Sequence, residues 1–204
     1  MNDHYFTSKP RAAHQVREFT TELRGRDYVF TTDSGVFSKD DVDLGSRILI
    51  DTLALRPGDT VLDLGCGYGP IGLVAASLVG PSGHVYMVDV NERACELAQE
   101  NAIRNGIGQA KVMVSDGLGA LPDDLTFDWV LSNPPIRAGK DVYYKLLTDA
   151  FHALKAGGCL LAVIRTKQGA KSLESYLQDL AGHCETVEKK AGFRVLKCCK
   201  QLHA

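Results

Sequence analysis

Short apolar runs alternate with longer segments of helical periodicity along most of the chain, from about residue 60 onwards. Each run is apolar almost throughout, as expected for a strand that is covered on both faces. The predicted strands are residues 61–64, 85–90, 111–115, 129–132 and 160–165. The predicted helices between them are residues 70–78, 92–105, 142–154 and 170–180. This alternation requires right-handed crossovers, so the sequence predicts a doubly wound, Rossmann-like α/β fold around a mainly parallel sheet.

A hairpin follows the last predicted helix. Residues 185–189 and 193–200 are strand-like and are joined by Ala191–Gly192, a pair that is typical of a tight turn. The sequence therefore predicts that an antiparallel hairpin completes the sheet.

A second hairpin and a helix precede the core. Residues 17–23 and 27–32 alternate around Gly25–Arg26, which predicts two short antiparallel strands. Residues 44–55 have the pattern of a helix that leads into the first core strand. We interpret this N-terminal part as a small appendage and not as a second domain.

The composition is that of an ordinary folded protein, with 45% hydrophobic and 24% charged residues among 204. We expect one domain over residues 1–204, divided into the appendage at 1–56 and the core at 57–204. No apolar stretch reaches the ~20 residues of a membrane span and no signal segment is present, so we expect a cytoplasmic protein without a membrane partner. The sequence does not determine the oligomeric state, for which we favour a monomer. The net charge of −2 gives no broad attraction to a polyanion, so any nucleic-acid contact must use local basic patches.

The six cysteines are scattered along the chain, and no two of them form a C-x₂-C pair. Cys198 and Cys199 are adjacent and would point to opposite faces of a strand. We therefore expect buried free thiols and not disulfides. The six histidines are also dispersed, without metal-ligand spacing, so we expect no metal.

A glycine-rich turn follows the first core strand, between Asp63 and Gly72. The missing Cβ atoms let a flat ligand lie against the backbone. Gly67, Gly69 and Gly72 also satisfy G-x-G-x-x-G, and Asp89 follows Gly69 by 20 residues, as in a dinucleotide site. Taken alone, that match is weak, and a dinucleotide and another adenosine cofactor both remain possible.

Two residues of this turn separate these ligands. Pro70 has no N–H to donate, which weakens the amide cradle that a pyrophosphate requires at a helix start. Asp63 would repel a phosphate but would suit an ammonium group, directly or through water. The charge pattern therefore favours S-adenosylmethionine, whose ribose hydroxyls could bind the Asp89 carboxylate.

Each acidic residue of the predicted pocket also has a plainer interpretation. Asp63 could cap local amides, Asp89 could serve the dipole of the following helix, and Asp116 could belong to an ordinary Asp-Gly turn instead of accepting from the adenine amino group. Cys66 is more simply a small apolar filler than a nucleophile. The remaining residues that we predict at the cofactor are Gly65, Cys66, Gly67, Val90, Gly117 and Asn133.

A second unusual segment, Asn133-Pro134-Pro135-Ile136, ends the fourth core strand. Two prolines stop the sheet ladder and leave a corner rich in acceptors and poor in donors. The side-chain oxygen of Asn133 and the carbonyl of Pro134 could each accept one proton of a planar amine, which would direct the nitrogen lone pair at a methyl donor. The alternative is that the segment only terminates a strand.

Together these segments resemble the ordered motifs of class I S-adenosylmethionine-dependent methyltransferases of the Asn-Pro-Pro-aromatic group. Residues 33–38 (DSGVFS) and 43–47 (DLGSR) resemble more narrowly the catalytic domain of small-subunit ribosomal RNA guanine-N2 methyltransferases. The resemblance implies a seven-stranded mixed sheet whose last strand is antiparallel. It also implies that Phe37 and Asp43 close over the cofactor and that Asn133, with Pro134, Pro135 and Ile136, forms the catalytic corner.

This chain departs from the family pattern at Ile136, where an aromatic residue commonly stacks on the target base. Arg137 and Lys140 follow the corner and could bind an RNA phosphate, with Lys39 and Arg47 as helpers, or they could be solvated surface charges.

The leading hypothesis is methyl transfer to an exocyclic nitrogen of a nucleobase, guanine N2 of ribosomal RNA, with RNA as the partner. Methylation of a protein glutamine amide is the alternative within the same chemistry. A nicotinamide oxidoreductase is disfavoured by Asp63 and Pro70, and a non-catalytic RNA-binding or assembly module by the intact Asn133-Pro134-Pro135.

Overall fold

The computed structural model describes residues 16–33, 41–134 and 139–202. Its strands are β1 (Arg17–Leu23), β2 (Arg26–Thr32), β3 (Thr60–Leu64), β4 (His84–Asp89), β5 (Ala110–Val114), β6 (Phe127–Ser132), β7 (Leu154–Arg165), β8 (Glu185–Lys190) and β9 (Phe193–Cys199). Its helices are α1 (Leu44–Thr52), α2 (Pro70–Val79), α3 (Glu92–Arg104), α4 (Lys140–His152) and α5 (Ala170–Ala181). Within the described ranges, no helix is long and apolar enough to cross a membrane.

Seven strands form one mixed sheet in the order β5-β4-β3-β6-β7-β9-β8, and β1 with β2 forms a separate hairpin. The pairs from β5 to β7 are parallel, whereas β9 runs antiparallel to both of its neighbours. The predicted Rossmann-like sheet with an antiparallel last strand is therefore confirmed. The strand order reverses between β3 and β6, and ligands of such sheets bind at the carboxyl edge of this reversal.

Both faces of the sheet are covered by helices, which explains the near-continuous apolar strands. Leu131 and Val163 face one core together with α1, α2 and α3, whereas Val130 and Ala162 face a second core together with α4 and α5. Because side chains alternate along each strand, β3, β4, β6, β7 and β9 each supply residues to both cores.

The two hairpins turn on residue pairs with positive φ. These pairs are Arg24–Gly25 (φ 54° and 77°) and Ala191–Gly192 (φ 48° and 80°). Such pairs match the twist of the flanking strands in two-residue hairpins. The turn at Ala191–Gly192 is confirmed, but the predicted N-terminal turn at Gly25–Arg26 is wrong by one residue. Arg26 pairs with Leu23 inside the ladder, and its guanidinium donates to the Asn105 carbonyl at 2.7 Å.

Two asparagine side chains, one in α3 and one at its C-cap, hold the N-terminal hairpin against the core. Asn101 accepts from the Thr31 N–H at 2.7 Å and donates to the carbonyls of Thr31 and Tyr68, both at 2.9 Å. Asn105 accepts from the Val29 N–H at 3.0 Å and donates to its carbonyl at 2.8 Å. These amides replace a missing strand along β2 and tie the hairpin to the glycine-rich turn.

β7 begins at Leu154, six residues before the predicted strand, and α4 ends earlier than predicted. The early part contains Gly157 and Gly158, which interrupt the apolar pattern although their backbone is paired with Lys200 at 2.9 and 2.8 Å. A Cβ on Gly158 would lie 2.8 Å from the Phe127 carbonyl oxygen, so the bulge between β6 and β7 requires glycine.

Cys159 and Cys199 form a disulfide, so the expectation of six free thiols is wrong for this pair. The antiparallel register of β7 and β9 places the two residues directly opposite each other, with Cα atoms 4.0 Å apart. They are separated by 40 residues in sequence, so the pairing depends on sheet topology and not on a local motif. The free cysteines are Cys66, Cys95, Cys184 and Cys198.

Candidate active site

The glycine-rich turn leaves the carboxyl end of β3 through residues with positive φ. Gly65, Gly67 and Gly69 have φ of 77°, 57° and 100°, a conformation that other residues adopt at a cost. The N–H groups of Gly65 and Cys66 both donate to the Val88 carbonyl, at 2.9 and 3.0 Å. A Cβ on Gly65 would meet no atom within 4 Å, so this side of the turn is open.

Asp63, one residue before the end of β3, is completely buried behind this turn. Its Oδ2 accepts from the Gly72 N–H at 2.7 Å, whereas its Oδ1 has no hydrogen-bond partner among the described residues. Burial raises the pKa of this carboxyl to about 7, the nearby Asp89 charge adds to the rise, and the Gly72 hydrogen bond opposes it. One oxygen thus caps an amide, as the plainer interpretation holds, and the other lacks a partner.

Asp89 links the glycine-rich turn to the start of α3. Its Oδ2 accepts from the Gly67 N–H and its Oδ1 from the Asn91 N–H, both at 2.9 Å. Desolvation raises the pKa of this buried carboxyl, and the backbone N–H groups around it counteract the rise. The N-cap of α3 is Asn91, so Asp89 is not needed as the helix cap. Each carboxylate oxygen retains a second lone pair for a further donor.

The third acidic residue, Asp116, is exposed at the same edge, beyond β5. The turn behind it has its own hydrogen bonds, since Ser115 Oγ accepts from the Ala120 N–H at 3.0 Å. Val114 is 47% exposed and pairs directly with Asp89 across the two strands. Sequence reasoning assigned Val114 only to a strand, although an exposed valine beside a buried carboxylate offers an apolar wall to a flat ligand.

The catalytic corner follows β6. Asn133 donates through Nδ2 to Asp43 Oδ1 at 3.1 Å and to Ser46 Oγ at 2.9 Å. A carboxylate can only accept, so the Asn133 atom that faces it must be the NH₂ group. The Oδ1 of Asn133 therefore remains available as an acceptor, which is the orientation that amine binding requires.

The N-terminus of α1 holds this amide in place. Asp43 is the N-cap of α1, and its Oδ1 accepts from the Ser46 N–H at 3.0 Å. A Cβ on Gly45 would lie 3.1 Å from Asp43 Oδ1, 3.4 Å from Asn133 Nδ2 and 2.9 Å from Phe193 Cε1, so a glycine allows this close approach. Sequence reasoning gave Ser46 no role, although it lies in the 43–47 segment that carries the resemblance and three residues after an N-cap.

The strand register brings the two halves of the site together. Asp63 pairs with Leu131 across β3 and β6, and Ser132 donates through Oγ to the Leu64 carbonyl at 3.0 Å. The glycine-rich turn and Asn133 are therefore neighbours on the carboxyl edge, at the reversal of strand order.

Several predicted residues lie elsewhere. Lys140 opens α4, where its Nζ is 2.8 Å from Ser172 Oγ. Arg47 is engaged with Asp41 at 2.5 Å and with Thr21, which ties α1 to the hairpin and leaves it little freedom to bind a phosphate. Outside the described residues lie Phe37, Lys39, Pro135, Ile136 and Arg137.

Comparison with known sequences gives a consistent picture. Residues 27–197 match the methyltransferase small domain family. The uncharacterized protein YbxB of Bacillus subtilis is 44% identical over 201 residues, which cover 98% of this chain and 100% of YbxB. Ribosomal RNA large subunit methyltransferase G of Shewanella oneidensis is 34% identical over 173 residues, which cover 82% of this chain and 45% of that protein.

Among solved structures, the 16S rRNA N2 guanine methyltransferase RsmC of T. thermophilus, in complex with AdoMet and guanosine, has a TM-score of 0.83 and 28% identity. The similarity covers 95% of this chain and 52% of that protein. This chain thus spans about half the length of the ribosomal RNA methyltransferases that it matches.

Proposed function

The chain belongs to the methyltransferase small domain family, which uses S-adenosylmethionine, and we propose that it transfers a methyl group to an exocyclic amine of a nucleobase in ribosomal RNA, guanine N2. One observation carries the proposal: the Asn133 amide is fixed by two acceptors so that its carbonyl oxygen is left for an amine. The relatives that act on ribosomal RNA support the substrate class.

The pocket at the carboxyl edge fits S-adenosylmethionine. The unpartnered Oδ1 of Asp63 is a buried acceptor that a water-bridged ammonium group would satisfy. The empty space where a Cβ of Gly65 would lie leaves room for a ligand against the turn. Asp89 retains acceptor capacity for ribose hydroxyls, and Val114 would contact the adenine. The other residues that we assign to the cofactor are Phe37, Asp43, Cys66, Gly67, Val90, Asp116, Gly117 and Asn133.

The chain acts on the amine by positioning it. The Asn133 carbonyl and the Pro134 carbonyl each accept one N–H, which holds the nitrogen with its lone pair directed at the donor. When bound, S-adenosylmethionine supplies a sulfonium methyl group that a nitrogen lone pair can attack. No strong base is needed at the start, because the proton leaves only after the nitrogen has been alkylated.

A pyrophosphate cofactor fits the same turn poorly. Pro70 occupies the first turn of α2, so one amide of the helix N-terminus is missing. An ionised Asp63 behind the turn would repel the phosphates.

The product decides between the substrates. Purified protein is incubated with methyl-labelled S-adenosylmethionine and, separately, with RNA and protein extracted from cells that lack it. We expect label in RNA and N2-methylguanosine after digestion to nucleosides. Label in glutamine of the protein fraction alone would overturn the RNA assignment, and no label in either fraction would overturn the activity.

A further inference from the structure

A row of three side chains lies beside the catalytic corner. Phe193 on β9 is paired with Arg165 on β7 at one side and with Lys190 on β8 at the other. Directly paired residues project from the same face of a sheet. The row therefore forms one continuous strip at the carboxyl end of β7.

Phe193 connects this strip to the reaction site. Its ring and the Asn133 amide both border the small space that Gly45 leaves at the N-terminus of α1. The Phe193 ring packs with residues of α1 in the core on this face, so the strip lies next to the helix that holds Asn133.

Arg165 presents a flat cation at this position. Its guanidinium carbon lies 4.9 Å from the centre of the Phe193 ring, while the side chain is exposed. A guanidinium that is held over an aromatic ring on one side offers its other side to a further flat group. Unpaired RNA bases stack on such planes.

Two exposed lysines lie near the Arg165 guanidinium and the Phe193 ring. Lys190 ends β8. Lys167 lies two residues after Arg165, in a short 3-10 helix (Thr166–Gln168), and the Thr166 N–H donates to the Gly192 carbonyl at 2.8 Å. Among the described residues, neither lysine has an ion-pair partner. In a chain of net charge −2, this is a local concentration of positive charge beside an aromatic ring, the combination that binds single-stranded nucleic acid.

We propose that Arg165, backed by Phe193, is a stacking platform for a base of the RNA substrate, with Lys190 and Lys167 binding its flanking phosphates. This inference depends on the proposed function, since it names how the same site holds RNA. It also supplies a stacking surface for a chain that has Ile136 where relatives commonly have an aromatic residue.

The test measures binding of a short, dye-labelled, guanine-containing single-stranded RNA by fluorescence anisotropy. Arg165→Ala weakens binding about tenfold, the magnitude of one lost base stack. Arg165→Lys keeps the charge but loses the plane, so its affinity falls nearly as far. Lys190→Ala weakens binding to all sequences and lowers the salt dependence by about one counterion.

Lys111→Ala is the matched control. Lys111 also lies over an aromatic ring, that of its cross-strand partner Tyr86 at 5.3 Å, but on β5 at the opposite edge of the sheet. Its loss leaves RNA affinity unchanged. Calorimetry with S-adenosylhomocysteine checks that every variant retains a folded pocket.

The outcomes separate the two proposals. A wild type that binds and methylates RNA while Arg165→Ala equals it would overturn the platform alone. Arg165→Lys with wild-type affinity would show that only charge matters and would also overturn it. A wild type that does not bind the short RNA but labels RNA in the methyl-transfer assay overturns the platform and leaves the proposed function standing, whereas a wild type that does neither overturns both.

Discussion

Ser46→Ala isolates the orientation of Asn133 from every other feature of the site. The substitution removes the acceptor that lies 2.9 Å from Asn133 Nδ2 and leaves Asp43 as the remaining anchor. The backbone N–H of Ser46 still donates to Asp43, so the cap of α1 survives. The change therefore acts on the amide and not on the helix.

The expected fall in kcat follows from the loss of one neutral hydrogen bond. A neutral hydrogen bond contributes about 0.5–1.5 kcal/mol, and ~1.4 kcal/mol corresponds to a factor of ten in rate. If that energy is used to hold the Asn133 carbonyl on the amine, kcat falls about two- to tenfold. The cofactor pocket is untouched, so the Kd for S-adenosylhomocysteine stays at its wild-type value.

The assay pairs single-turnover methyl transfer with calorimetry. Ser77→Ala is the control, since Ser77 is also a helical serine whose Oγ accepts a side-chain hydrogen bond, from Arg26 at 2.9 Å, but far from Asn133 in the fold. We expect it to keep the wild-type kcat. A folded Ser46→Ala protein with unchanged kcat would refute the orientation argument. A loss of cofactor affinity with unchanged kcat would show that Ser46 acts on the cofactor pocket and not on Asn133.

Three further predictions concern the two buried carboxylates and the packing of α2. With its pKa raised from 3.8 to about 7, Asp63 lowers the stability of the unliganded protein as pH rises through that interval, because the folded state holds the proton more tightly. The ammonium group of the ligand prefers the ionised form of Asp63, so S-adenosylhomocysteine should bind roughly tenfold tighter at pH 8 than at pH 6 in calorimetry; a profile that stays equally steep in Asp63→Asn contradicts this. Asp89→Ala removes acceptors from two buried amides and should weaken that binding by more than about tenfold; unchanged affinity would exclude Asp89 from the pocket. Gly72→Ala would place a Cβ 2.6 Å from Met87 Cγ and should cost about 1–3 kcal/mol in urea unfolding; full stability would contradict the tight packing of α2.

Local patterns were sufficient to predict most of the fold. The apolar runs correspond to β3, β4, β5 and β6 within about a residue or two, because strands buried on both faces leave a continuous signal. The early start of β7 was missed because Gly157 and Gly158 carry no apolar signal, although the ladder continues through them. Predicting the Cys159–Cys199 disulfide would have required the register of β7 against β9, which the spacing of the cysteines does not provide.

The sequence identified some residues of the site but not the contacts that depend on distant parts of the chain. Asp63 and Asp89 could be selected because each lies at the carboxyl end of a strand near the glycine-rich turn, and such ends meet at one edge of a parallel sheet. The hydrogen bond from Asn133 to Ser46 could not be predicted in this way. The two residues are 87 apart in sequence and meet only when α1 packs at the carboxyl edge. The pKa of Asp63 is likewise a consequence of complete burial, which the sequence pattern does not specify.

Single-turnover transfer of a labelled methyl group to RNA by Asn133→Ala tests the central claim most directly. Asn105→Ala is the matched control, since the Asn105 side chain binds the hairpin and the Asn101 carbonyl but not the catalytic corner. Losing the carbonyl that holds the amine should lower the rate by about a hundredfold or more, while S-adenosylhomocysteine still binds as in the wild type. A folded Asn133→Ala enzyme that methylates RNA at the wild-type rate would contradict the account.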